Sequence, residues 1–260
     1  MADGGKRAVW ARRLTVAAAV LAFGGLAAAL IAAVGSGRGV WHFRTGFTVL
    51  RWAFFAAIGG GVLAILAAFV ARRTAPRLVV VNLLALAAAF GFVLFLGQQV
   101  RTARAVPPIH DIATDLDDPP RFEALTVRAD NLENIPDMGR PELAALDPEA
   151  RWKAVHREAY DDIRPLLVPW TVPETIARAE RLARARGWEI ARSDPEAGAL
   201  EATDTTFFFR FKDDVALRVR PAPDGSGSLV DMRSISRVGV SDVGVNAKRI
   251  RAFLADLAAA

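Results

Sequence analysis

"DDVALRVRPAPDGSGSLVDMRSIS", residues 213–236, decides what the folded part of this chain is. In it Val215, Leu217 and Val219 alternate with Asp214, Ala216, Arg218 and Arg220, the two-residue period of a strand with one buried face. The link "APDGSG" carries Asp224-Gly225, a pair suited to a hairpin turn, and "GSLVDMRSIS" follows as the returning strand. The local pattern is therefore an antiparallel ribbon.

Upstream, "WEIARS" (188–193) and "GALEATDTTFFFRF" (198–211) read as two more strands. Alternation in the second sends Phe208 to the opposite face from Phe207 and Phe209, so this cluster divides between core and a membrane- or partner-facing surface. Before them, "TVPETIARAERLARARG" (171–187) is the best-marked helix, with Thr171 as cap, Glu174 three residues later and Gly187 as stop. A second helix runs from Asp147, a cap followed by Pro148, to about Tyr160. Trp152, Val155 and Ala159 form its apolar stripe, which leaves His156 as a surface or boundary residue. Downstream of the ribbon, a helix from about Asp242 carries Ile250, Phe253, Leu254 and Leu257 on one stripe. With the short run "IRPLLVPW" (163–170), the order is helix, short strand, helix, four strands, helix. This is an α+β domain, an antiparallel four- to five-stranded sheet with helices packed on one face.

The first hundred residues are of another kind. They hold ten Lys/Arg and one acidic residue, whereas residues 101–260 hold 23 Lys/Arg and 27 Asp/Glu, so the excess positive charge belongs to the first part alone. Residues 14–37, 52–71 and 78–100 contain no charged side chain, and each is long enough to cross a ~30 Å hydrocarbon core as a helix. The basic residues sit in short clusters between these runs, which is how membrane proteins fix orientation, and nucleic-acid binding is not expected. With the N-terminus in the cytoplasm, seven Lys/Arg lie inside and five outside, which places the C-terminal 160 residues outside the cytoplasm. The first run is longer than the apolar region of a signal peptide and reads as a retained helix. Thr15, Asn82, Gln98 and Gln99 are the conspicuous polar residues of the spans, with no ionisable group that would mark a transport path. Gly24, Gly25 and Gly59–Gly61, with many alanines, suit close helix packing within a bundle or between copies of the chain. The expected organisation is a membrane domain over 1–100 (helices about 14–36, 52–71 and 78–98), a Pro-rich junction over 101–146, and an α+β extracytoplasmic domain over 147–260.

Three phrases, "PPIHDIATDLDDPPRF" (107–122), "EATDTTFFFRFKDDVALRVRP" (201–221) and "VDMRSISRVGVSDVGVNAKRIRAFL" (230–254), together resemble the domain-of-unknown-function family 1499. This is a widespread bacterial and plastid family, here in a version with a multi-span N-terminal membrane segment. The resemblance covers residues ~105–258 and implies kinship without an activity. The positions that match its motifs are His110, Asp111, Thr114, Asp115, Asp204, Asp213, Asp214, Arg218, Arg220, Arg233, Ser234, Arg237, Gly239, Asp242, Gly244, Asn246 and Arg249.

The chemistry available to these residues is limited. With no cysteine, thiolate catalysis and Cys-ligated metals are excluded, and only His42, His110 and His156 remain for histidine chemistry. "IHDIATDLDDPP" (109–120) lacks the ligand spacing and glycine of a calcium loop, and His110 and Asp111, adjacent in an extended segment, face opposite ways. No metal or cofactor is expected, and the stretch reads as a rigid junction held by turn-forming side chains. Across the sheet's helix-free face, Asp214, Arg218 and Arg220 come opposite Asp231, Arg233 or Arg237, either as a solvated salt-bridge lattice or as a cleft whose arginines grip a carboxylate or phosphate. The glycine-bearing run "SRVGVSDVGVNAKRIR" (236–251) leads into a helix start, an anion-attracting place beside Arg237, Lys248 and Arg249, with Asp242 as its cap. Candidate binding residues are thus His110, Asp111, Asp115, Asp204, Arg218, Arg220, Arg233, Arg237 and Arg249.

No nucleophile elbow, P-loop or H-E-x-x-H motif is present, and Ser234 and Ser236 have no identifiable base. The leading expectation is a non-enzymatic protein of the bacterial cell envelope, anchored in the inner membrane, whose outer periplasmic domain binds an envelope protein, a lipid headgroup or a small anion. The alternative is a hydrolase- or lyase-like enzyme using His110 with Asp111 or Asp115 and an arginine-lined cleft. The two part on whether His110 and Asp115 converge with Asp204, Arg218 and Arg233.

Overall fold

A computed structural model describes residues 2–133 and 135–259, with side chains from residue 5 onward. The chain divides into two compact units, residues 1–101 with Phe208–Arg210, and residues 102–207 with 211–260.

The first unit is built on three helices, α1 (Ala2–Gly37), α2 (Phe43–Thr74) and α3 (Arg77–Ala105), each long and apolar enough to cross a membrane. Its interior is made of small residues, Ala18, Ala22, Ala57, Ala64, Ala85 and Ala89, while Val20, Leu30, Phe55, Ile65, Phe69 and Leu84 point outward. That distribution inverts a water-soluble bundle and suits lipid, where close backbone approach drives helix association. Gly60 is required for it, since a Cβ there would lie 2.7 Å from Ala22 N. Gly25 and Gly61 also meet neighbours, whereas Gly24 and Gly59 face open space. The polar pair in the spans finds itself, Asn82 Nδ2 donating to Thr15 Oγ1 at 2.9 Å.

The second unit is α+β. Its strands are β1 (Asp111–Ala113), β2 (Leu166–Val168), β3 (Glu189–Asp194), β4 (Ala199–Thr205), β5 (Lys212–Pro221) and β6 (Ser228–Ser236). They form one antiparallel sheet in the order β1-β6-β5-β4-β3, with β2 pairing farther along β6. The hairpin read from residues 213–236 is present, in a register that sets Leu217 opposite Met232 and Val215 opposite Ser234. The helices are a short α4 (Pro141–Ala144), α5 (Pro148–Ala159), α6 (Val172–Ala185) and α7 (Val245–Ala258). Thr171 and Glu174 make the expected capping box, and Asp147 caps α5 by accepting from Ala150 N–H. On one face of the sheet Leu200, Val215, Leu217, Val230 and Met232 meet Ile176 and Ala183 of α6 and Ile250, Phe253 and Leu257 of α7 in a continuous core.

Four expectations change. A sixth strand lies inside "IHDIATDLDDPP", because Asp111–Ala113 pairs with Arg233–Ile235. Helix α7 begins at Val245, not Asp242; its cap position is Gly244, at φ +78°, while Asp242 accepts from Gly244 and Asn246 N–H at 2.8 and 2.7 Å. The Phe207–Phe209 cluster lies in a turn after β4, so strand alternation does not sort its rings. Finally, β5 is buried on both faces, Asp214 and Ala216 as fully as Val215 and Leu217. The extra cover is the segment after β1. Residues 115–125 cross the helix-free face as a strap, hydrogen-bonded to β4, β5 and β6.

Candidate functional site

The strap explains where most of the nominated charges go. Glu201 of β4 is buried, and its carboxylate accepts the N–H groups of Glu123 (2.8 Å), Ala124 (3.1 and 3.0 Å) and Leu125 (2.8 Å). Arg218 of β5 reaches Asp118 Oδ2 at 2.6 Å, Asp115 Oδ2 at 3.2 Å and Asp231 Oδ2 at 3.1 Å, and Arg220 joins Asp231 at 2.7 Å. Arg233 grips Asp111 through two bonds, Nε at 3.0 Å and Nη2 at 2.7 Å, while Asn131 Nδ2 donates to the same carboxylate at 2.5 Å. Arg237 forms a similar fork on Asp214, at 2.7 and 2.8 Å, which Thr203 Oγ1 supports. On the helical face Arg249 of α7 spans Asp204 (2.9 Å) and Asp213 (2.6 Å) and donates to Ser234 and Asn246.

The nominated residues therefore fall into four groups: Asp115–Arg218–Arg220–Asp231, His110–Asn131–Asp111–Arg233, Asp214–Arg237, and Asp204–Arg249–Asp213. The convergence of His110, Asp115, Asp204, Arg218 and Arg233 that a shared cleft requires is not what the structure shows. His110 is buried, with Nδ1 3.1 Å from Val240 O and Nε2 3.2 Å from Asn131 Oδ1, so both ring nitrogens are occupied by protein. The anion-attracting place at the start of α7 is taken by Asp242 itself, which accepts the N–H groups a ligand would use. Burial pushes the Asp242 carboxyl above the usual range against those two bonds. Among the described residues no group of three or more His, Asp or Glu is placed to hold a metal ion.

Asp115 is the exception, because it also borders an open groove of about 520 Å³. One wall is the start of the strap, Thr114–Asp117; the other is the inner end of α5 and the chain beyond it, His156, Tyr160 and Ile163. Burial pushes the Asp115 carboxyl up, but the N–H groups of Asp118 and Asp117 and the Arg218 and Arg220 guanidiniums outweigh it and hold it below the ordinary range. It is an anion at neutral pH.

His156 is the residue that sequence reasoning misplaced. It is 1% exposed, stacked edge-on between Trp152 and Tyr160 at 5.9 and 5.6 Å, because the inner face of α5 follows the i, i+4, i+8 series 152, 156, 160. That spacing was there to be read beside Trp152, Val155 and Ala159. Its Nε2 accepts Ala113 N–H at 3.3 Å, which puts the proton of the neutral ring on Nδ1. Burial lowers its pKa to about 4, with Asp111 opposing and Arg157 and Arg251 adding to the shift. Burial likewise raises the Tyr160 hydroxyl to about 12, so both side chains are neutral at pH 7. His156 Nδ1 and Tyr160 Oη are buried with no hydrogen-bond partner among the described residues.

Three helices long and apolar enough to cross a membrane, with a six-stranded α+β unit whose sheet carries a strap, suggest a membrane-anchored protein. The sequence model of the family described as "Protein of unknown function (DUF1499)" matches residues 111–257, more than half of the chain, and the chain belongs to that family. Comparison with curated proteins and with solved structures finds no match.

Proposed function

We propose that this is a bacterial inner-membrane protein whose α+β domain lies on the periplasmic side and works as a binding module, taking a small polar-headed ligand or partner group in the groove beside α5. The observation that carries the reading is the pair His156 Nδ1 and Tyr160 Oη, buried at the groove wall with no hydrogen-bond partner among the described residues. A buried polar group left unpaired costs about 1–3 kcal/mol, so a ligand that supplies an acceptor there, directly or through a water, gains what the free fold forgoes. The arginines that a catalytic cleft would need are already committed to carboxylates. The excess of Lys/Arg on the side shared with the N-terminus supports the orientation.

Native mass spectrometry of the detergent-solubilised full chain tests the binding claim, with Arg157→Trp as the comparison because Arg157 is exposed on the groove rim. A small species that rides with the wild type and is lost from the variant supports the reading. A species retained equally by both, or absent from both, refutes it. A reporter fused after residue 260 tests orientation, and a cytoplasmic signal contradicts it.

A further inference from the structure

The turn between β4 and β5 is built to hold its shape. Thr206 N–H donates to Phe211 O at 2.9 Å, Phe211 N–H donates to Thr206 Oγ1 at 2.8 Å, and Arg210 takes the left-handed φ of +52° that closes the loop. Turns are ordinarily made of Gly, Asn, Asp, Ser and Pro, yet this one presents Phe207 at 87% exposure and Phe208 at 51%. Arg210 and Lys212 are exposed beside them.

Apolar rings flanked by cations suit the boundary between acyl chains and headgroups, where the ring buries in the apolar layer and the cation meets lipid phosphate. The same chain carries three helices long and apolar enough to cross a bilayer, and five residues separate α3 from β1. We propose that the Thr206–Phe211 turn is an interfacial anchor, seating Phe207 and Phe208 in the bilayer that α1–α3 cross, with Arg210 at the phosphates.

The chain has no cysteine, so a single Phe207→Cys in the full-length protein gives one labelling site, at a residue that is 87% exposed and outside the core. The labelled protein, carrying an environment-sensitive fluorophore, is placed in nanodiscs of phosphatidylcholine and phosphatidylglycerol. Ser226→Cys, on the exposed turn between β5 and β6, is the reference. The proposal expects nitroxide-bearing lipid to quench the label at 207 severalfold more than at 226, and aqueous iodide to do the reverse. Iodide quenching at 207 equal to that at 226 would overturn it. Protection of 207 from both quenchers would also overturn it, because the occupant would then be protein.

Discussion

Replacing Glu201 with Gln tests whether the strap is held to the sheet by one buried carboxylate. Glu201 is 2% exposed, three consecutive N–H groups converge on its two oxygens, and the nearest cation, Arg192 Nη1, is 3.9 Å away. The charge is thus stabilised chiefly by backbone dipoles. Glutamine keeps the volume but turns one acceptor into a donor, so about two N–H groups face an NH₂ and lose charge-assisted bonds of roughly 1.5–3 kcal/mol each. Allowing for relaxation, the cost is about 3–5 kcal/mol, a large part of the 5–15 kcal/mol typical of a folded domain. Urea unfolding of the full chain in detergent reads this through Trp152, Trp170 and Trp188 of the α+β unit. With a slope of about 2 kcal/mol/M the midpoint falls by roughly 2 M, and amide exchange at residues 123–125 accelerates. A midpoint shift below about 0.5 M would refute the reasoning.

Three other outcomes are expected. Arg249→Met leaves Asp204 and Asp213 facing each other without their shared cation and lowers stability by about 3–5 kcal/mol, with Arg249→Lys recovering only part; equal unfolding midpoints would contradict this. Because burial depresses His156, the unfolded chain takes up that proton first as pH falls. Stability should therefore drop through the window from 6.5 to about 4, by roughly 3 kcal/mol from this group, and His156→Gln should flatten the profile relative to wild type. Asp242, raised by burial, acts with the opposite sign in both proteins and cancels in the comparison. Gly198, at φ +66° with Val219 O only 2.1 Å from where a Cβ would stand, tolerates no side chain, so Gly198→Ala should cost about 2 kcal/mol or more in the same assay.

The parts of the fold with local signatures were readable from the chain. The three apolar runs, the capping box at Thr171–Glu174, the Asp147-Pro148 start of α5 and the β5–β6 hairpin each need only neighbouring residues to specify them. What escaped depends on distant partners. Asp111–Ala113 has no strand length of its own and becomes β1 only by lying along β6, more than a hundred residues away. The alternation of β5 implied a wet face, but Asp214, Ala216 and Glu201 are dry because a proline-punctuated segment folds back over them, which no period in β5 records. The candidate charges pair with partners far apart in the chain, across the sheet and the strap, and this separates them into four groups. The series 152–156–160 buries His156 beside the stripe of Trp152, Val155 and Ala159, and an ionisable ring at its middle position masks that series in the sequence.

The most direct test is an experimental density map of the full-length protein purified from its native membrane without added ligand. The groove reading predicts ordered density between Thr114–Asp117 and the end of α5, within hydrogen-bonding distance of His156 Nδ1 or Tyr160 Oη. Both atoms bonded instead to protein groups, with only bulk solvent in the groove, would contradict it.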